Sequence, residues 1–450
     1  MSRQLRVAVV GAGPAGIYAA DILNNSEVDV SIDIIEKDPT PFGLIRYGVA
    51  PDHPRIKEII KALRRILTNP AIRFIGNVNY GKDFNLAELR RFYDAIIFAT
   101  GASKDRALNI PGNDLEGSFG AADFVYWYDG HPDVDRDWPF DPEAKEVAVL
   151  GAGNVALDVA RILAKTADEL LTTDIPDNVY RGLQKNKATD IHIFARRGPA
   201  QVKFTPMELR ELSHSPNIDV IIHPEGFEFD AGSMEAMGRS KSIKLVVKVL
   251  QNYLAREPEG KPHRVHLHLC QAPVEILGED GKVVGLRTEA TKLDGNANAR
   301  PTGEFIDWPV QAVYRAIGYL SDPLVDLPFD DENGVVPNDG GRVVGLDGNP
   351  IPGVYVTGWI KRGPVGLIGH TKSDAAETIG LLLDDVEQLN RAEQSEPEAF
   401  TNYLTEHGHE FTTWAGWEKL DAFEISLGEA QDRERVKVVP RDEMVRISNS

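Results

Sequence analysis

Short, continuous apolar runs recur along this chain, each closed by a glycine or a charged residue. Leu5 to Val10, Val30 to Ile35 and Tyr93 to Ala102 form one set; residues 146–150, Ile191 to Ala195, Ala312 to Tyr319 and Val354 to Trp359 form the rest. A strand with no alternation is covered on both faces, as in a parallel sheet. Small-residue helices follow two of these runs, Ala15 to Leu23 and a segment ending near Leu163, so strand and helix alternate. That alternation predicts an α/β fold with helices on both faces of parallel sheets.

Other stretches break the rhythm. Pro39 to Pro54 holds too many prolines and glycines for a regular element, yet it is rich in apolar and aromatic residues, as functional or well-packed loops are. Residues 55–69 return to helical spacing with a solvated basic face, and 131–145 read as a polar loop. A long polar insertion is expected over 166–188, and a β-rich excursion over 243–250, 264–270 and 282–290. A helix should start near Ser373, and residues 385–450 read as a charged helical region with no evident chemistry.

Chemistry enters with two glycine-rich turns. Gly11-Ala12-Gly13-Pro14-Ala15-Gly16 follows the first apolar run, and Gly151-Ala152-Gly153-Asn154-Val155-Ala156 follows residues 146–150. Strand, glycine turn and small-residue helix, in that order, cradle a dinucleotide pyrophosphate. One such turn is weak evidence; two point to two dinucleotides and electron passage between them. The strand ends downstream tell them apart. The first unit's second strand ends on Glu36, where a carboxylate can accept hydrogen bonds from a ribose diol, as in FAD or NAD. The second unit's strand ends on Arg196-Arg197, whose planar forks suit a 2′-phosphate and so predict NADP. Ala99-Thr100-Gly101 matches a strand ending of flavin-dependent pyridine-nucleotide oxidoreductases, which supports FAD for the first site. In the helix opened by Thr205-Pro206, Glu208 and Glu211 share one face.

Composition narrows the classes. With 450 residues, two or three domains are expected. The net charge of −20, from 69 acidic and 49 basic residues, argues against nucleic acid as a partner. The single cysteine, Cys270, excludes an intrachain disulfide, a redox-active cysteine pair and a cysteine-ligated cluster, and suits a reducing, cytoplasmic compartment. No metal site is expected. No apolar run approaches the ~18 residues of a membrane span. The alanine-rich N-terminus, with Asp21 and the full glycine pattern, reads as the first strand and helix rather than a secretory signal.

Longer strings carry a resemblance. Pro41 to Pro54 (PFGLIRYGVAPDHP), Gly153 to Arg161 (GNVALDVAR), Arg196 to Pro199, Glu208 to Leu212 (ELREL) and Gly358 to Pro364 (GWIKRGP) resemble ferredoxin–NADP reductases of the adrenodoxin-reductase type, in their actinobacterial form, over nearly the whole length. The resemblance implies two Rossmann-like domains, the second inserted in the first, like flavin disulfide reductases but without the redox disulfide. FAD would bind residues 1–104 and 325–450, and NADPH residues 105–324. Beyond Gly11, Gly13, Gly16 and Gly151, Gly153, it implies FAD contacts at Ala15 (through its backbone), Glu36, Leu44, Val78, Trp359, Gly366, Leu367 and Ile368. NADP contacts would fall on Arg106, Asn154, Val155, Ala156, Leu157, Arg196, Arg197, Glu208 and Gly366, with His53 and Glu211 near the flavin and nicotinamide.

The implied reaction passes hydride from NADPH to FAD and single electrons to a separate ferredoxin-type iron–sulfur protein that feeds downstream oxidases, with the enzyme a monomer. His53 and Glu211 would orient and polarise, since hydride transfer needs no general base. Arg210, Lys241, Lys244 and Lys248 offer a basic face to an acidic ferredoxin, with ordinary solvation the alternative. Two other readings use the same folds: an NADPH-oxidising flavin subunit like the small subunit of glutamate synthase, whose N-terminal cysteine-rich segment is absent here, and a non-catalytic dinucleotide sensor.

Overall fold

The computed structural model describes residues 4–364 and 368–450, with only the helical backbone of 368–370. The chain divides into two compact units. The first comprises Met1–Lys104, Asp129–Asp133 and Tyr319–Ser450; the second comprises Asp105–Tyr128 and Val134–Gly318. The first unit thus begins again at Tyr319 and also claims the five-residue excursion Asp129–Asp133.

The first unit is built on an eight-stranded sheet. Its centre runs Pro350–Val356, Ala95–Phe98, Leu5–Val10, Val30–Ile35, Ile72–Gly76, with all four neighbouring pairs parallel. Short antiparallel strands finish both edges, Arg342–Val344 with Asn338–Asp339 on one side and Thr412–Thr413 on the other. Every residue of Leu5–Val10 is buried because the side chains divide between two cores. Val7 and Val9 join Ile32, Ile34 and Ile97 on one face, while Ala8 and Val10 join Ile35 and Phe98 on the other. Register aligns Val10 with Ile35 and with Phe98, and Phe98 with Val356. Four parallel strands therefore stop on one line, and Gly11, Glu36, Ala99 and Thr357 emerge together at the carboxyl edge, where open α/β sheets bind ligands.

The second unit repeats the plan. Its six parallel strands run Ser118–Gly120, Ala312–Arg315, Glu146–Leu150, Asp190–Ala195, His263–Leu269, Ile218–Ile222. Leu150 aligns with Phe194 and with Arg315, so Gly151 and Arg196 leave the same edge. Of the expected β excursion, 282–290 lies in a separate three-stranded antiparallel sheet (Gln271–Glu279, Lys282–Leu293, Ala299–Trp308), whereas 264–269 belong to strand His263–Leu269 of the parallel sheet.

Residues 243–250 are not part of it. They lie in the helix Lys241–Leu254, N-capped by Ser240, whose hydroxyl accepts from the Ile243 amide. Val246, Val247, Val249, Leu250 and Tyr253 are buried, and Val246, Val249, Leu250 and Tyr253 follow the three-and-four spacing of a helical stripe; β-branching favours a strand here, and the spacing overrides it. The 166–188 insertion also holds two short helices, Ala167–Leu170 and Asp177–Leu183, the first closed by a Thr166–Glu169 capping box. The helix expected from Ser373 begins at Ile368 and runs to Asp385. No helix among the described residues is long and apolar enough to cross a membrane.

Candidate functional site

In the first unit the glycine turn is fixed by close approach. Gly11 has φ 114°, and a Cβ there would meet the Ala99 carbonyl oxygen at 2.5 Å, so neither its conformation nor its neighbour admits a side chain. Gly13 is the opposite case, with nothing within 4 Å of the point a Cβ would occupy. It is the N-cap of helix Pro14–Asn24 and makes no side-chain cap, so the amides of the first turn stay directed outward, as anion sites require. A Cβ on Gly16 would strike the Gly11 carbonyl oxygen at 2.0 Å, so this glycine allows helix and turn to pack.

Glu36 closes on this turn. Its Oε2 accepts from the Ala12 amide at 2.7 Å and its Oε1 from the Asp38 amide at 3.2 Å. Burial, then the nearby charge of Asp38, raise its pKa to about 7. Val78 is buried beside it, donating its amide to the Glu36 carbonyl at 2.9 Å. Leu44 opens the short helix Leu44–Tyr47, and Phe42 ties that loop to the turn by donating to the Ala12 carbonyl at 2.9 Å. Trp359 follows Gly358, where a Cβ would come 2.7 Å from the Ala15 Cβ, so its turn abuts the start of helix Pro14–Asn24. The fold thus gathers Gly11, Gly13, Ala15, Gly16, Glu36, Leu44, Val78 and Trp359 at the carboxyl edge. His53, 4% exposed, is the N-cap of Pro54–Lys57 in the same unit. Gly366 and Leu367, and the side chain of Ile368, lie outside the described residues.

Residues that sequence reasoning missed also shape this edge. Buried Asp374 accepts from the Gly358 amide at 2.5 Å and the Thr357 hydroxyl at 3.2 Å, and pairs with Lys361 at 3.1 Å. No local pattern flags a lone aspartate inside a helix; only the fold shows that it fixes the Trp359 turn.

The second unit's turn has the same construction. Gly151 has φ 151°, and a Cβ would meet the Ala316 carbonyl oxygen at 2.2 Å, whereas Gly153 faces open space and caps helix Asn154–Ala164. The side chains of Ala156 and Leu157 are in the core, and both amides bond to the Gly153 carbonyl (3.0 and 3.4 Å). That leaves Asn154 and Val155 as the outward face of the turn. Asn154 Oδ1 accepts from the Thr205 amide at 2.8 Å, linking the turn to helix Pro206–Glu211, on which Glu208 is buried and Glu211 half-buried. Arg196 and Arg197 line a cavity with Thr291, Asn298, Pro301 and Glu289. Their carbonyls are held by the Thr291 hydroxyl (2.7 Å) and the Cys270 amide (3.2 Å), so the loop is fixed while Arg196 stays exposed. Arg106 is exposed, its amide bonded to the Gly318 carbonyl at 2.9 Å.

Comparison with known proteins agrees with this geometry. Residues 5–197 match the family model described as pyridine nucleotide-disulphide oxidoreductase. The chain is 40% identical to the NADPH-ferredoxin reductase FprA of Mycobacterium leprae, covering 98% of each chain. The chain belongs to the ferredoxin–NADP reductases of the adrenodoxin-reductase type. Within that family it is also 37% identical to the mitochondrial NADPH:adrenodoxin oxidoreductase of Bos taurus, covering 98% of this chain and 92% of the other. The solved structure of Mycobacterium tuberculosis FprA in complex with NADPH superposes with a TM-score of 0.92 at 39% identity, covering 100% of both chains. The expected fold class, an α/β reductase of two dinucleotide-binding units, is thereby established, and the reductase family sits on a scaffold with no second cysteine to make a redox disulfide.

Proposed function

We propose that this chain is an NADPH:ferredoxin oxidoreductase that holds FAD in the first unit and NADPH in the second, and reduces a separate ferredoxin-type iron–sulfur protein. The observation that carries the reading is the contrast at two matching strand ends: Glu36 beside one glycine turn, Arg196-Arg197 beside the other. Both turns fit a pyrophosphate, because each leaves open space at the middle glycine and caps a helix that presents amides there. The relatives' names supply the acceptor class.

Bound FAD would supply the step between a two-electron hydride donor and a one-electron acceptor. The protein's own part is placement. Glu36 receives the ribose hydroxyls of the first dinucleotide. Asp374, through the Gly358 amide, fixes the Trp359 turn at the flavin. Asn154 and Val155 take the second pyrophosphate, and Arg196 and Arg197 bind the 2′-phosphate by charge-assisted bonds that an unphosphorylated ribose cannot make. Glu208 is a contact of the NADP, while His53 at the flavin and Glu211 at the nicotinamide act as orienting groups, consistent with a transfer whose rate is governed by proximity. A monomer in a reducing, cytoplasmic compartment fits the single, buried Cys270.

The test is direct. The purified chain should be yellow, NADPH should bleach it anaerobically, and a ferredoxin from the same cell should restore the colour. A chain without flavin, or with flavin that NADPH leaves oxidised, would overturn the proposal.

A further inference from the structure

The C-terminal region grips the loop that carries Leu44. Arg46, 4% exposed, donates Nη2 to Glu424 Oε1 at 2.5 Å and Nη1 to Oε2 at 3.0 Å. Glu424 is fully buried on helix Trp414–Glu429 and also accepts from the Val438 amide at 2.9 Å. Lys437, equally enclosed, donates to the Arg46 carbonyl and to the Asp129 carbonyl, each at 3.0 Å. On the near side of Leu44, Phe42 packs edge-on against Trp417 (5.8 Å between ring centres), and the Arg46 guanidinium lies 5.2 Å over the same indole. The loop's other side rests on the glycine turn: Phe42 donates to the Ala12 carbonyl at 2.9 Å, and a Cβ on Gly43 would come 3.0 Å from the Gly13 Cα.

This arrangement is costly in a way that simple packing is not. Burial disfavours a charged guanidinium, and the facing Glu424 carboxylate, with a smaller contribution from Tyr47, reverses that and keeps it ionised. Phe42 itself adopts φ 85°, a conformation that a bulky residue holds only when its surroundings impose it. A buried bidentate pair fixes distance and angle together, which an apolar contact does not.

We propose that Glu424 is a positioning residue for FAD: by fixing Arg46, it sets the Leu44 turn against the Gly11–Gly16 turn, so that the C-terminal helix governs how firmly the flavin is retained. This rests on the reading of the first unit as the FAD site.

The experiment compares FAD release from purified holoenzyme variants at matched loss of Tm. Glu424→Gln removes the charge. Arg46→Met with Glu424→Leu replaces the pair by apolar groups and keeps the fold testable if the single variant fails to accumulate. Asp385→Asn, which loosens the Arg342–Asp385 pair (2.7 Å) elsewhere in the same unit, is the control for general destabilisation. Both Glu424 variants should release FAD about tenfold faster than the control, with kcat recovered by added FAD and KM for NADPH unchanged. Release that merely follows Tm in all variants overturns the inference and leaves the FAD reading standing. A wild-type chain that holds no FAD overturns both.

Discussion

Glu36 Oε2 accepts the Ala12 amide at 2.7 Å, so the carboxylate that ends one strand braces the glycine turn that ends its neighbour. Because burial and Asp38 lift its pKa to about 7, this carboxyl is part-protonated at neutral pH, and ribose hydroxyls that donate to it favour the ionised form. FAD affinity should therefore rise as pH goes from 6 to 8. Glu36→Ala should weaken FAD about 10- to 100-fold, the worth of hydrogen bonds to a charged group, and Glu36→Gln should weaken it less while flattening the pH dependence. Fluorescence titration of FAD into apoprotein at both pH values measures all three, and an affinity that is level across this range in the wild type would refute the assignment.

The two arginines make a separable prediction. Replacing Arg196 and Arg197 by alanine should raise KM for NADPH by one to two orders of magnitude, about 1.5–3 kcal/mol of charge-assisted contact, and barely move KM for NADH. Steady-state kinetics with both coenzymes decide it. Equal losses for the two would mean that the guanidiniums serve the scaffold rather than the phosphate.

Much of this was legible because it is local. A glycine turn, the strand before it and the charge that closes the next strand lie within tens of residues, and each has a steric or electrostatic reason that survives without coordinates: Gly11 and Gly151 sit where a Cβ would strike a carbonyl. The failures have equally physical causes. Val246, Val247 and Val249 carry β-branched side chains that favour a strand, but the stripe they share with Leu250 and Tyr253 repeats at helical spacing behind a Ser240 cap. The C-terminal region reads as chemically silent because Glu424 meets Arg46 across 378 positions of sequence, a pairing that no periodicity encodes. Asp374 escapes notice for the same reason at shorter range.

Asn154 illustrates how a motif residue can have two duties. Its side chain accepts the Thr205 amide at 2.8 Å, and so sets the start of the helix bearing Glu208 and Glu211. Asn154→Ala leaves that amide without its acceptor and should cost about 1–3 kcal/mol in stability, with KM for NADPH raised. Asn154→Asp restores the acceptor and should recover the stability, though its charge beside the pyrophosphate should keep KM high. Thermal unfolding paired with kinetics separates the two effects; recovery of neither by aspartate would rule out the Thr205 bond as the cause.

The second unit should be acid-labile for a reason unrelated to its ligand. His192 Nδ1 lies 3.0 Å from His268 Nε2, and His223 Nε2 lies 3.2 Å from His266 Nδ1. Across these pairs the rings stack, His192 on His266 at 4.5 Å and His223 on His268 at 4.2 Å. Each hydrogen-bonded pair needs one nitrogen unprotonated, and stacked imidazoliums would repel. Asp190, 2.9 Å from His266 Nε2, offers local compensation to that ring, with Arg264 opposing it nearby. Burial, then the neighbouring rings, push His192 down from 6.5 to about 3 and His268 to about 2, and lower His223 as well. A base whose folded pKa is depressed stabilises the fold above its unfolded pKa and loses that contribution as pH falls. The loss should therefore begin near pH 6.5 and reach about 2 kcal/mol for each of the two most buried rings by pH 5. His268→Phe keeps a flat ring against Trp308, 4.4 Å away, and removes one titrating group. Its Tm at pH 7.5 should fall, since His192 loses a partner, but the slope of Tm between pH 7 and 5 should be visibly shallower than in the wild type. An unchanged slope would place the acid sensitivity elsewhere in the chain.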